Sequence, residues 1–385
     1  MEFRIERRVF AEAVGWAVRG AATRPVVPVL GGVLVEAGDE GRVRVTGFDH
    51  EVCARAEADA GVGAAGRVVV PGARLLDVCR VLPDAPVECG IEDGRLVVRC
   101  GGARFGLAVL PAGEYPALPA PAPALGTVGA REWAAAVGQV ASAAARDVTV
   151  PVLTALQLDF DGESLTLAAT DRYRYAQRTL PWEAAGRGAG TITVPARRLG
   201  ELCRVLAKHA GQGPVRLGHG DTFSLATADG AFAASLRPLA GRLPAARKLF
   251  ALGAPARAVL ARAPLEEALR RVAVVAEPGN PVALSFEPGG SVLLGAGTEA
   301  DDTASQRLDA ETVPAEPMTV AFNAAYLLDA LTALQDHARI HLALQGPGGR
   351  AVVSGSEEPR DAREAQGSEG ARYAHRHLLM ALRDA

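Results

Sequence analysis

The 385-residue chain is poor in the residues that usually advertise chemistry. It has five cysteines, three methionines, three tryptophans and only 5% aromatic residues. The cysteines (Cys53, Cys79, Cys89, Cys100 and Cys203) are odd in number and show no CxxC spacing. That argues against a disulfide scaffold and a zinc site, and fits buried thiols in a reducing cytosol. No uncharged apolar stretch reaches membrane-helix length, and the opening MEFRIERRVF lacks the apolar run of a signal peptide. A cytoplasmic protein is expected. Charge of one sign is also missing: 41 Lys+Arg oppose 44 Asp+Glu, a net charge of −3. This removes the simplest nucleic-acid signature while leaving room for a local basic surface. What is abundant is glycine (43), proline (25) and apolar residues (49%). The composition points to two or three domains built from short elements and turns.

The chain repeats itself. Residues 68–82, VVVPGARLLDVCRVL, and 192–206, ITVPARRLGELCRVL, are identical at eight of fifteen positions, far beyond chance, so they mark a duplication. Residues 28–55 and 151–178 form a second pair, each beginning Pro-Val-Leu and running through an acidic, glycine-containing turn to Asp49 or Asp171. Alternating apolar residues around such a turn predict a hairpin. A fainter third copy aligns Leu327, Leu328 and Asp329 with Leu75, Leu76 and Asp77, and 281–294 again reads strand, turn, strand. Each copy opens with a helix (Val9–Val18, Ala130–Ala145, Pro264–Val275) and closes on a strand (Arg104–Leu110, Ala231–Leu236, Tyr373–Leu382). Residues 116–126, PALPAPAPALG, read as a stiff extended connector, and 241–256 as a second linker. The expected class is α+β: three tandem helix-strands-helix-strands units, 1–120, 127–249 and 254–385.

Catalytic signatures are absent. The single GxGxxG string, Gly61, Gly63 and Gly66, precedes a strand instead of following one, so it reads as a flexible turn and not a phosphate cradle. His337 and His341 have metal-compatible spacing, but Ala338–Leu344 reads as a strand and no third ligand is evident. A surface pair is expected. Asp49 and Asp171 occupy one place in the repeat, just past a strand, where aspartate commonly closes a turn. No catalytic residue, metal or cofactor is expected.

The second helix of each unit carries more information. At 100° per residue, Leu75, Val78, Cys79 and Leu82 share one apolar face, as do Leu199, Leu202, Cys203 and Leu206. Arg80 and Arg204 lie roughly 150° away, and Arg197 and Lys208 join Arg204 on the outward stripe. Repeated basic helices can track a phosphate backbone without reading bases. The third unit has Thr332 at the corresponding position.

With PVVPVLG (25–31), Val70–Cys79, ATDRYRY (169–175), Arg242–Pro244 with Leu249, Phe322–Leu334 and LLMALR (378–383), the chain resembles the bacterial DNA polymerase III beta subunit family, the DNA sliding clamps, over essentially its full length. The resemblance implies a non-catalytic head-to-tail homodimer whose six domains close into a ring around duplex DNA. Helices would line the hole and sheets would form the outer wall. It implies DNA contact through Arg24, to which helix phase adds Arg80, Arg197, Arg204 and Lys208. It implies a dimer interface of Phe105 and Leu107 against Val274. A peptide pocket for polymerase, clamp loader and repair factors is implied at Leu153, Thr170, Arg172, Tyr173, Arg174, Tyr175, Pro244, Leu249, Tyr326, Leu378, Met380 and Leu382. This chain departs from the family where Ala381 replaces the tail proline, where Tyr173 and Tyr175 are bulky, and in the polar stretch 356–372. Those departures leave a specialised or inhibitor-tolerant clamp as one alternative; separately from them, a repeat scaffold that binds no DNA is another.

Overall fold

A computed structural model describes residues 1–186, 189–276, 281–297, 302–355 and 375–383. The polar stretch 356–372, Tyr373 and the last two residues lie outside the described residues. Seven α-helices occur among the described residues: α1 (Arg7–Ala17), α2 (Gly72–Val81), α3 (Ala130–Ala141), α4 (Ala196–Ala210), the short α5 (Ala246–Phe250), α6 (Arg262–Val272) and α7 (Ala324–Ala333). The α+β reading holds, with helix pairs α1/α2, α3/α4 and α6/α7 in three successive repeats.

Contacts divide the chain into two compact units. The first is Met1–Ala134 with Trp182–Gly188 and Arg198–Pro238. It holds a five-stranded sheet, in order Gly61–Ala64, Glu2–Ile5, Val87–Glu92, Arg95–Cys100 and Ala103–Ala108. It also holds a nine-stranded sheet that crosses from the first repeat to the second where Val52–Asp59 pairs with Phe232–Leu236. The second unit is Ala135–Pro181, Ala189–Arg197 and Leu239–Ala385. Its eight-stranded sheet crosses from the second repeat to the third where Arg174–Pro181 pairs with His375–Met380. Its four-stranded sheet runs Ala304–Asp309, Ser291–Ala296, Pro281–Glu287 and Met318–Asn323. All strand pairings among the described residues are antiparallel, the arrangement that short hairpins favour.

Amphipathic helices close the cores. Leu75 and Cys79 on α2 are fully buried, as are Leu199 and Leu206 on α4, as their phase predicts. In the second unit α6 and α7 cover Val282, Leu284, Phe286, Val320 and Phe322. Strand and helix run together at Pro71 and Pro195, whereas α7 is capped by Asn323, whose side chain accepts from the Ala325 and Tyr326 amides. All five cysteines are buried free thiols.

Two expectations need correction. Gly61–Ala64 is an edge strand paired with Glu2–Ile5, so the glycine string is not a turn. His337 and His341 are not a surface pair: both are half-buried. The strand Arg339–Leu344 is interior to its sheet, and His337 lies against Gly355 so closely that a Cβ there would collide with its ring.

A different histidine pair, the half-buried His375 and the buried His377, lies in the strand His375–Met380. His375 Nε2 and His377 Nε2 lie 3.0 Å apart, one donating to the other. Burial, with His377, Arg178 and His337 nearby, lowers His375 to about 2, and burial with Arg174 lowers His377 to about 3. Both values lie below that of an unfolded histidine, so the unfolded chain takes up protons first. Stability should be full above about pH 6.5 and fall by on the order of 2 kcal/mol per group by pH 5. Carboxylates titrate mostly below that window. The thermal midpoint at pH 5 should therefore lie below that at pH 7, and equal midpoints would contradict this account.

Candidate peptide groove and basic surface

The outer face of the eight-stranded sheet carries the main candidate site. Register sets Thr170, Tyr175, Leu378, Val352 and Ala343 opposite one another across five strands. Alternation sends the neighbouring Leu379, Ala351 and Val353 to the α6/α7 core instead. The segment read as a linker roofs this row: Leu243, Leu249, Phe250 and Leu252 pack on Tyr175, Leu378 and Val352.

Polar contacts pin the roof. Thr193 Oγ1 donates to Gly241 O (3.0 Å), the Leu243 amide to Gln157 Oε1 (2.8 Å) and Arg350 Nη1 to Leu249 O (2.7 Å). Gly241 itself has φ +105°, a conformation that side chains resist. The Tyr175 hydroxyl donates to Pro244 O (3.3 Å), and its ring meets Phe250 edge-on at 5.8 Å. Burial, aided by Asp159, pushes the Tyr175 phenol up to about 12, so it stays a donor.

One wall is the turn 170–174. Asp171 Oδ1 accepts from the Tyr173 and Arg174 amides (3.1 and 3.0 Å), and Arg172 takes a left-handed φ of +83°. Asp49 does the same for Glu51 and Val52 (3.0 and 2.7 Å), so both aspartates close turns. Arg174 is buried. Its Nε donates to Asp171 Oδ2 (2.9 Å), its Nη1 to Asp329 Oδ2 (2.6 Å), and its guanidinium stacks 4.3 Å from the Tyr326 ring. The other wall is the tail: the Met380 amide donates to Tyr173 O (2.9 Å) and the Leu382 amide to Ala321 O (2.8 Å). Ala381 uses an amide that proline lacks, donating to Gly349 O (2.9 Å).

The twelve residues singled out therefore form two layers. Arg172, Tyr173, Pro244, Met380 and Leu382 are exposed, and Leu153, Leu249 and Tyr326 are half-buried. Thr170, Arg174, Tyr175 and Leu378 are buried beneath them. Leu243, Phe250, Leu252 and the pinning residues Gln157 and Arg350 were missed. The apolar spacing at 243, 249, 250 and 252 was the available signal.

Of the cationic residues, Arg24 is exposed in the loop after α1. Arg80 on α2 is exposed and paired with Asp77 (3.2 Å), and Arg197, Arg204 and Lys208 are exposed on α4. Two others went unread. Arg198 donates to Arg19 O (2.9 Å) and Asp49 Oδ2 (3.2 Å). Arg19 is held below its usual value by burial, against Glu201 and with Arg204 adding. Thr332 donates to Glu266 (3.2 Å).

Phe105 and Leu107 are half-buried on Ala103–Ala108, an edge of the five-stranded sheet. Val274, 81% exposed, follows α6, whose Arg271 donates to Gln306 (3.2 Å) on the edge strand Ala304–Asp309. Among the described residues no cluster of His, Cys, Asp or Glu could hold a metal, and no helix is long and apolar enough to cross a membrane.

Comparisons with known proteins agree with this geometry. The N-terminal, central and C-terminal domains of the DNA polymerase III beta subunit match residues 1–119, 127–245 and 247–362 in order. The chain is 40% identical to the beta sliding clamp of Streptomyces coelicolor, covering 100% of this chain and 99% of that one. It is 38% identical to the beta sliding clamp homolog GriR of Streptomyces muensis, over 97% and 98%. In fold it matches the crystal structure of the DNA polymerase III subunit beta from Pseudomonas aeruginosa, with a TM-score of 0.87, 24% identity and full coverage of both chains. The Bacillus subtilis DNA polymerase sliding clamp gives 0.89 at 22% identity, again over both full lengths. With three family domains in sequence and a full-length relative at 40% identity, the chain belongs to the DNA polymerase III beta subunit family, the sliding clamps, which are non-catalytic processivity subunits.

Proposed function

We propose that two copies join head to tail into a ring that encircles duplex DNA in the cytoplasm and tethers the replicative polymerase, the clamp loader and other partners. The observation that carries this is a repeated joint with two unused halves. Val52–Asp59 of the first repeat pairs with the closing strand Phe232–Leu236 of the second, and Arg174–Pro181 of the second pairs with the closing strand His375–Met380 of the third. The equivalent strand of the third repeat, Ala304–Asp309, and the closing strand of the first, Ala103–Ala108, are both sheet edges. Open edges of this kind invite strand addition. Adding Ala304–Asp309 of one copy to Ala103–Ala108 of another repeats the internal joint, with Phe105 and Leu107 facing the region of Val274. A head-to-tail contact closes when its rotation fits, here with two copies. The domains proposed are 1–120, 127–249 and 254–385.

In this reading Arg24, Arg80, Arg197, Arg204 and Lys208 attract phosphates without reading sequence. The rim of Tyr173, Pro244, Met380 and Leu382, over a roofed apolar row, takes short hydrophobic partner peptides, as adaptable methionine-bearing grooves do. Sedimentation together with peptide titration tests both parts. The 39.8 kDa chain should sediment as a dimer. Met380→Ala should weaken docking of a hydrophobic partner peptide about tenfold and leave the dimer intact. A monomer would contradict the ring, and unchanged docking would contradict the groove.

A further inference from the structure

The two joints inside the chain share one plan but are filled differently. In the eight-stranded sheet the row Thr170, Tyr175, Leu378, Val352 and Ala343 is bulky and roofed. The nine-stranded sheet has the matching row Phe48, Cys53, Ser235, Ser224 and Gly218. The aspartate turns at Asp49 and Asp171 fix the equivalence, placing Cys53 where Tyr175 stands and Ser235 where Leu378 stands. Here too a connecting segment, Leu118–Ala122, runs over the row. The His219 amide holds it by donating to Pro123 O (3.0 Å). Gly218 lets it approach, since a Cβ there would stand 2.7 Å from that same oxygen.

Small side chains beneath a roof leave space. A cavity of about 240 Å³ lies between the segment and the sheet, lined by Leu118, Pro119, Cys53, Ser224 and Ser235 and by the next row on the same face. That row is Arg55, Ala233, Ala226 and Arg216, so two guanidinium groups flank a floor of alanines. Neither arginine forms a salt bridge among the described residues, and the Cys53 thiol, only 8% exposed, makes no hydrogen bond there. Arg216 lies near enough to Asp229 to help hold that carboxyl low, yet neither guanidinium has a direct ion-pair partner among the described residues, and two such cations beside an apolar pocket match a ligand with an apolar side chain between carboxylates.

We propose that this cavity is a second peptide site, taking an extended acidic segment of a partner. Its apolar side chain enters against Leu118 and Pro119, and its carboxylates meet Arg55 and Arg216. That the ligand is a peptide rests on the equivalence with the groove around Met380; the cavity and its charges do not.

The test is fluorescence polarisation of the full-length dimer carrying Met380→Ala, which weakens the other groove, with a labelled, end-blocked tetrapeptide, Asp-Leu-Phe-Asp. Saturable binding is expected. Arg55→Gln with Arg216→Gln should weaken it about tenfold or more. Ser235→Leu with Ser224→Val, which rebuilds the bulk of the other joint, should abolish it. Restoring Met380 should leave the component removed by the charge variant unchanged. The exposed Arg216 and half-buried Arg55 form no direct ion pair among the described residues, and Arg216 gives up only its longer-range attraction to Asp229, so that arm stands even if the filled variant fails to fold. The proposal is overturned by the absence of saturable binding, by binding that survives the charge variant, by equal binding of Asn-Leu-Phe-Asn, or by displacement with inorganic phosphate alone. Binding seen only when Met380 is restored would also overturn it, assigning the peptide to the other groove and leaving that reading intact.

Discussion

Arg174→Met is expected to lower the free energy of unfolding by about 3 kcal/mol or more, the usual cost of breaking a buried ion pair from one side. Arg174 is 7% exposed and is the partner of two carboxylates on different repeats, Asp171 beside it and Asp329 on α7. Methionine keeps the apolar length of the side chain but takes from Asp171, itself mostly buried, the cation it pairs with among the described residues. It also removes the stacking on Tyr326. Urea unfolding of the variant against the parent measures the difference. A loss below about 1 kcal/mol would put the pair in the class of exposed surface bridges and contradict its role as a tie.

Arg24→Ala with Arg204→Ala should act in the opposite way, leaving stability alone and weakening hold on DNA. Both side chains are exposed, and neither anchors a core. Two lost phosphate contacts should flatten the dependence of log affinity on log salt by roughly 2 units. The dimer should sediment unchanged. Retention of the loaded protein on DNA across a salt series is the measurement, and an unaltered slope would remove both residues from the phosphate-facing surface.

Much of this was legible in the sequence because duplication makes local signals reinforce one another. The helix carrying Leu75, Val78 and Cys79 and its copy carrying Leu199, Leu202 and Cys203 bury the faces their spacing predicts. Asp49 and Asp171 close equivalent turns. Legibility failed where tertiary context decided the outcome. Residues 241–256 contain proline and glycine and read as a linker, yet Leu243, Phe250 and Leu252 dock on Tyr175 because the sheet offers an apolar row there. Gly61, Gly63 and Gly66 belong to paired strands, since a sheet edge tolerates glycine that local propensity assigns to turns. The groove residues were named from resemblance, but their layering was not readable. Thr170, Arg174, Tyr175 and Leu378 look alike in sequence to their exposed neighbours, and only register and the overlying roof bury them. Arg198 was passed over beside Arg197 because one residue along a helix turns a side chain by 100°, from solvent toward Asp49.

The account depends on a joint made twice within each chain and again between chains, closing a loop through which DNA passes. Loading the dimer onto a nicked circular duplex and onto the same duplex after linearisation, then following release, tests this directly. Retention on the circle with rapid escape from the linear form is the predicted result, and cutting the loaded circle should free the protein. Equal release from both forms would contradict a topological link.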